Sequence, residues 1–371
     1  MFDHSPTVPP RQPATSLPYA RIAVVGAGAW GTALAAVARR AGQTVRLWGR
    51  DAAHMRDIAA TQSNARFLPG LTLPDGIEAT ADLARALAGA EAVLLVTPST
   101  SLRAVAAAMR PHLPAGVPVA LGAKGIEAGS GALLTAVVAE ALPGHPVGVV
   151  SGPTFARETA LGHPTAATVA FAFDHAARLT PEASVAARLA VSLSSASFRA
   201  YVSDDPVGVE IGGAVKNVIA IACGMMTGAG FAENTRAALI VRGLAEMTLL
   251  AEALGGRPET VAGLAGAGDL TLTCSSLTSR NMALGVQLGQ GRARAACFDG
   301  RPVTVEGEVN AVSVTDLGRR LGLRLPVCTA VHDVLHAGAD LRATFAALWV
   351  EPIEWERRAM QMALAHPGAP Q

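Results

Sequence analysis

The sequence predicts an α/β protein: a doubly wound, mostly parallel sheet in the N-terminal half, followed by an all-helical C-terminal domain. Three observations carry this. A short apolar run with β-branched residues, 21–25, meets the glycine-rich turn Gly26-Ala-Gly28-Ala-Trp-Gly31, which opens a helical stretch. Apolar runs then alternate with helical stretches, the signature of parallel strands joined by crossover helices. Beyond about residue 205 the texture changes to long helical patterns punctuated by glycines.

In order, residues 32–40 read as the first helix, Gly42 as its C-terminal cap and 44–48 as the next strand. Strand, turn, helix and strand thus follow within about thirty residues, the setting that a dinucleotide fingerprint needs. Further strands are expected at 92–97, 118–121, 147–150 and 166–171, with helices at 102–109 and 132–142 among them. This gives a Rossmann-like dinucleotide-binding domain over 21–205. A helical substrate and catalytic domain is expected over 206–360, with helices near 207–229, 233–254, 280–289, 307–321 and 327–337. Residues 1–20, with five prolines, read as a disordered leader, and 361–371 as a tail.

Half of the 371 residues are apolar and 16% are charged, with a net charge of +1. That balance gives no reason to expect nucleic acid or a membrane surface as partner, while leaving room for a small anion. Aromatic residues make up 4%, too few for a base-stacking platform. Cys223, Cys274, Cys297 and Cys328 lack metal-ligand spacing and read as reduced thiols of a cytoplasmic protein. Residues 207–230 are apolar enough to resemble a membrane span. Glu210, Lys216, Asn217 and several glycines interrupt them, so a buried helix is expected and no membrane insertion.

All but two of the 30 basic side chains are arginine; the exceptions are Lys124 and Lys216. Lysine is a compact charge whose pKa can fall on burial, whereas guanidinium stays protonated. These two lysines are therefore candidates for work that arginine cannot do. Lys216 sits on an apolar helix and must face a cleft or meet a carboxylate. A structural ion pair with Glu210 is the plain alternative.

In the glycine turn, Gly26 permits the tight bend, Gly28 lets the backbone approach a pyrophosphate, and Gly31 lets helix and strand pack closely. After the second strand stands Arg50, suited to a 2′-phosphate, and next to it Asp51, which would instead bind a ribose hydroxyl. NADP is expected ahead of NAD, with NAD use also compatible. Ser279 reads as an N-cap, with Arg280 and Asn281 in the first helical turn. A guanidinium there opposes the helix dipole unless an anion sits at that terminus, and a phosphate-bearing substrate fits best.

Together these segments resemble the bacterial type of NAD(P)-dependent glycerol-3-phosphate dehydrogenase. The resemblance runs from about residue 21 to 331. It rests on the glycine turn, Asn64 with Phe67-Leu-Pro69, Lys124-Gly-Ile-Glu127, Ser151-Gly-Pro-Thr-Phe-Ala156, Lys216-Asn217, Gly268-Asp-Leu270, Ser279-Arg-Asn281 and Val305-Glu-Gly307. It implies interconversion of dihydroxyacetone phosphate and sn-glycerol 3-phosphate, the backbone of glycerophospholipids, in a cleft between the two domains. Carried over residue by residue, it implies Ala29, Trp30, Arg50, Ala156, Thr304 and Glu306 as cofactor contacts. Lys124, Gly152, Thr154, Asp269, Ser279, Arg280 and Asn281 become substrate contacts, Lys124 and Arg280 touching the cofactor too. Lys216 becomes the catalytic lysine, with Asp269 holding it. The chain departs from the family pattern in its leader, at Gly307-Glu308 and in extra length around 171–184.

Hydride addition to a ketone creates an alkoxide, which an adjacent ammonium stabilises and protonates. Lys216 suits both tasks. Two other readings share these residues: a related NADP-dependent ketone or β-hydroxyacid dehydrogenase preferring a carboxylate, and a catalytically idle NADP-binding regulator. A homodimer is compatible with the sequence.

Overall fold

The computed structural model describes residues 16–351, 353–354 and 363–364. Eight strands build one sheet: β1 (Arg21–Val25), β2 (Thr44–Trp48), β3 (Ile77–Thr80), β4 (Ala92–Leu95), β5 (Val119–Leu121), β6 (Val147–Ser151), β7 (Thr165–Phe171) and β8 (Phe198–Ser203). Their spatial order is β3-β2-β1-β4-β5-β6-β7-β8. All neighbours are parallel except β6 and β7, which run antiparallel. β1 lies between β2 and β4, with Ile22 level with Val45 on one side and Ala92 on the other. Here the winding reverses, and a crevice opens beyond the carboxyl ends of the strands.

The helices α1 (Ala29–Arg40), α2 (Ala52–Thr61), α3 (Leu83–Leu87), α4 (Ser99–Met109), α5 (Leu134–Ala141), α6 (Ala156–Leu161), α7 (His175–Leu179) and α8 (Val185–Leu193) accompany the sheet. β1 and β4 are apolar on both faces because helices cover both, burying Ile22 and Val24 in one cluster and Ala23 and Val25 in another. Of the segment read as leader, residues 1–15 lie outside the described residues. Tyr19, by contrast, is buried, and its N–H donates to Ser192 on α8 at 2.7 Å.

The rest is helical: α9 (Pro206–Gly228), α10 (Glu233–Ala253), α11 (Pro258–Val261), α12 (Asp269–Cys274), α13 (Arg280–Gly289), α14 (Glu306–Arg320), α15 (Pro326–His336) and α16 (Leu341–Trp349). Of the expected tail, only a short pairing of 363–364 with 353–354 is described. Among the described residues, helix α9 is the one long and apolar enough to suggest a membrane span, but 94% of that stretch is buried, so it is the core of the helical domain. α13 crosses it at backbone distance. A Cβ on Gly224 would lie 2.3 Å from the Met282 carbonyl oxygen, and one on Gly285 would lie 2.2 Å from that of Ile221. Spacing of four on both helices, Gly224 with Gly228 and Gly285 with Gly289, keeps one face of each free of side chains. That close crossing fixes where the first turn of α13 stands relative to Lys216, two turns earlier on α9.

Candidate active site

The glycine turn closes the crevice on one side. Gly26 has φ +125°, and a Cβ there would lie 2.5 Å from the Val96 carbonyl oxygen; at Gly31 the clash with Gly26 would be closer still. Around Gly28 the opposite holds, since a Cβ would meet nothing within 4 Å. Helix α1 starts there with no side-chain cap and no acidic residue in its first turn. An open cradle against free amides is what a pyrophosphate requires. Trp30, in that first turn, carries a buried indole N–H with no hydrogen-bond partner.

Arg50 is exposed just beyond β2 and, among the described residues, makes no hydrogen bond or ion pair. Asp51 is already committed: its carboxylate caps α2, accepting from the amides of Ala53 and His54 at 3.1 Å each, and pairs with Arg66 at 3.3 Å. Of these two neighbours, Asp51 is thus engaged within the fold, while the Arg50 guanidinium is free among the described residues.

Lys124, Lys216 and Asp269 converge from three elements. Lys124 lies in the loop after β5, Lys216 in the middle of α9, and Asp269 opens α12 after a widened turn in which Gly268 N–H donates to Gly263 O at 3.1 Å. One oxygen of Asp269 accepts from Lys216 Nζ at 2.6 Å and the other from Lys124 Nζ at 2.6 Å. Lys216 also donates to Thr273 Oγ1 at 2.8 Å. The Lys216 ammonium is lowered to about 8, chiefly by burial; Asp269 works against that fall and Lys124 adds to it. Burial alone would raise the Asp269 carboxyl, but Lys124 and then Lys216 outweigh it and hold the group below the usual carboxylate range.

The expected alternative partner, Glu210, is elsewhere. It lies six residues before Lys216, about 240° around the helix. Its carboxylate accepts from the amide of Thr135 at 2.9 Å and its hydroxyl at 2.5 Å, capping α5 from another element. Burial raises its pKa to about 7. Lys216 and Glu210 therefore form no ion pair.

The other end of the site is the start of α13. Ser279 caps it, accepting from Met282 N–H at 3.3 Å. The main-chain amides of Arg280 and Asn281 are left free, and the exposed Arg280 guanidinium makes no hydrogen bond or ion pair among the described residues. The side chain of Asn281 is tied: it donates to Asn217 at 2.9 Å and accepts from Gly307 N–H at 2.9 Å. Asn217 in turn donates to Glu306, the first residue of α14, at 3.4 Å. Gly152 O accepts from Lys124 at 3.5 Å and from the Thr154 hydroxyl at 3.2 Å. Ala156 is half-buried at the start of α6, and Thr304 is exposed, with no hydrogen bond among the described residues. Thr273 was missed from sequence. Its spacing of four from Asp269 on a helix, which puts both on one face, was the available signal.

A nucleotide cradle, two ammonium groups sharing one buried carboxylate, and an anion-ready helix start define a two-domain dehydrogenase of the nicotinamide class. The N-terminal family model of NAD-dependent glycerol-3-phosphate dehydrogenase matches residues 21–177, and the C-terminal model matches 205–346. The chain belongs to the NAD-dependent glycerol-3-phosphate dehydrogenase family, and it is an NAD(P)-dependent oxidoreductase. Glycerol-3-phosphate dehydrogenase [NAD(P)+] of Rhodospirillum rubrum is 49% identical over 90% of this chain and 93% of its own length. That of Caulobacter vibrioides is 47% identical over 91% and 99%. The crystal structure of glycerol-3-phosphate dehydrogenase from Coxiella burnetii superimposes with a TM-score of 0.81 at 38% identity, covering 89% of this chain and 99% of that one.

Proposed function

We propose that the chain interconverts dihydroxyacetone phosphate and sn-glycerol 3-phosphate in the cytoplasm, supplying glycerophospholipid synthesis, with Lys216 as the proton donor and acceptor. The observation that carries this is the buried Asp269 bridging the buried Lys216 and the half-buried Lys124 between the nucleotide cradle and the start of α13. Bound in the cradle, the nicotinamide supplies the hydride for ketone reduction or takes it up in the reverse direction. As charge develops on the ketone oxygen, Lys216 Nζ stabilises it and passes it a proton. Asp269 and Thr273 hold Nζ in place, and Lys124 adds positive field and fixes the substrate beside Gly152 and Thr154. The substrate phosphate is held by the Arg280 guanidinium and the free amides of Arg280 and Asn281, with Ser279 keeping that turn in register. The Asn281 side chain acts by tying α13 to Asn217 and α14. Ala29, Trp30, Ala156, Thr304 and Glu306 line the cofactor side.

Arg280→Ala is expected to raise KM for dihydroxyacetone phosphate by about ten- to a hundred-fold, the loss of one charge-assisted contact. KM for unphosphorylated dihydroxyacetone should change far less. Steady-state kinetics with both ketones checks this, and equal losses for the two would place the phosphate elsewhere. Arg50→Ala should weaken NADPH by roughly tenfold or more and leave NADH nearly unchanged, because only NADPH carries the 2′-phosphate. Fluorescence titration of both cofactors decides it; equal losses would mean that Arg50 does not read that phosphate.

A further inference from the structure

We propose that Glu210 is a positioning residue for the reaction: from the helical domain it holds the segment that carries Lys124 in place beside Lys216. This rests on the substrate-fixing role of Lys124 and adds the group that keeps Lys124 where it works. Lys124 follows β5 and stands at one foot of a small hairpin, with the start of α5 at the other foot. Ile126 bridges Leu133 in antiparallel pairing, and Glu127 N–H donates to Ala132 O at 3.0 Å. Lys124 lies two residues before Ile126, and Thr135, in the first turn of α5, lies two residues after Leu133. Whatever fixes Thr135 therefore fixes the foot of the hairpin next to Lys124.

Helix α5 has no side-chain cap of its own, since its N-cap is Leu133. Glu210 supplies the cap from α9, with one carboxylate oxygen on the Thr135 amide and the other on the Thr135 hydroxyl. A serine or aspartate at the N-cap would satisfy such an amide locally. Here a carboxylate only 5% exposed does so, with no ion pair among the described residues, and burying an unpaired carboxylate is costly. What the distant carboxylate gives that a local cap could not is a tie between the two domains. On its own helix Glu210 precedes Gly213 by three residues and Lys216 by six. A Cβ on Gly213 would lie 3.3 Å from Lys124 Cγ, so the stem of that lysine rests on the α9 backbone between the cap and Lys216. The rest of the hairpin leans on the helical domain too. Ile126 is buried in its core, and Arg320 on α14 donates to Gly129 O and Ser130 O at 2.8 Å each. Arg320 holds the tip, and Glu210 holds the foot beside Lys124.

The test is a pair of double-mutant cycles on kcat/KM for dihydroxyacetone phosphate reduction with NADPH. Glu210→Leu and Thr135→Val are each made alone and combined with Lys124→Ala, and thermal unfolding is followed for all. Glu210→Leu removes both contacts to α5, and kcat/KM should fall about ten- to a hundred-fold at temperatures where the variant is folded. Thr135→Val keeps the amide contact and should cost about threefold. Combined with Lys124→Ala, neither should lower kcat/KM by more than about twofold further, because the group being positioned is gone. A residue serving the fold alone would lower the melting temperature and leave kcat/KM of the folded variant unchanged, or lower it equally with and without Lys124. Either result would overturn the proposal, and Thr135→Val gives the answer by itself if Glu210→Leu does not fold. A large loss in Lys124→Ala beside full activity in the other two variants would overturn this proposal alone. Full activity in Lys124→Ala, or no reduction of dihydroxyacetone phosphate by wild type, would overturn it together with the functional reading on which it rests.

Discussion

Lys216→Ala is expected to lower turnover of dihydroxyacetone phosphate by on the order of 10²–10⁴ while NADPH still binds. On the proposed mechanism, the substitution removes the group that both stabilises the developing alkoxide and protonates it. It leaves Asp269 with Lys124 as its sole cationic partner, so the carboxylate stays paired and the fold should survive. Lys216→Arg should be nearly as poor. A guanidinium keeps the charge but does not give up a proton near neutral pH, and it must fit where Nζ lies 2.6 Å from Asp269 and 2.8 Å from Thr273. Single-turnover reduction with NADPH in excess separates chemistry from product release. Turnover near wild type in a folded Lys216→Ala enzyme would remove the lysine from the reaction.

The second large effect is on stability. Asp269→Asn leaves two ammonium groups facing one neutral amide in a buried site, and breaking a buried ion pair by removing one partner costs about 3–5 kcal/mol. Against a typical total of about 5–15 kcal/mol, this is a substantial share. The loss should depend on pH in a definite direction. Without the carboxylate, the folded-state pKa of Lys216 drops below its present value of about 8. A lysine whose folded pKa is depressed destabilises the fold while it is charged in the unfolded chain and neutral, or unpaired, in the folded one. The deficit of the variant against wild type is therefore largest below its own lowered pKa and fades as pH rises through about 8, where Lys216 of the wild type loses its proton too. Thermal unfolding of wild type and variant from neutral to alkaline pH checks this. A deficit that stays constant or grows with pH would mean that the two lysines are not held by Asp269.

Much of this was legible in the sequence, for reasons that differ by element. The expected helix 280–289 matches α13, and 207–229 differs from α9 by one residue at each end, because long apolar patterns with a serine or proline start and a glycine end are local signals. Two strands were not foreseen. β3 has four residues, and β8 leaves Tyr201 and Val202 exposed at the sheet edge. Edge strands form through backbone pairing with a neighbour, which composition does not announce. Lys124 and Lys216 stood out by residue type alone. Asp269 as the partner of Lys216 was expected, but its sharing with Lys124 was not, because Asp269 lies 145 residues from Lys124 and only the packing of the fold joins them. The Asn217–Asn281–Gly307 chain was hidden for the same reason.

The central claim is that Lys216 exchanges the proton. The most direct test is the pH dependence of kcat/KM for dihydroxyacetone phosphate reduction and, separately, for glycerol 3-phosphate oxidation. Reduction needs the ammonium form, so above neutral pH it should fall through an apparent pKa of about 8, approaching tenfold per pH unit. Oxidation needs the free amine and should rise through the same pKa, and the break should vanish in Lys216→Arg. A reduction profile that is flat from about pH 7 to about pH 10, or one that keeps its break in Lys216→Arg, would contradict the account.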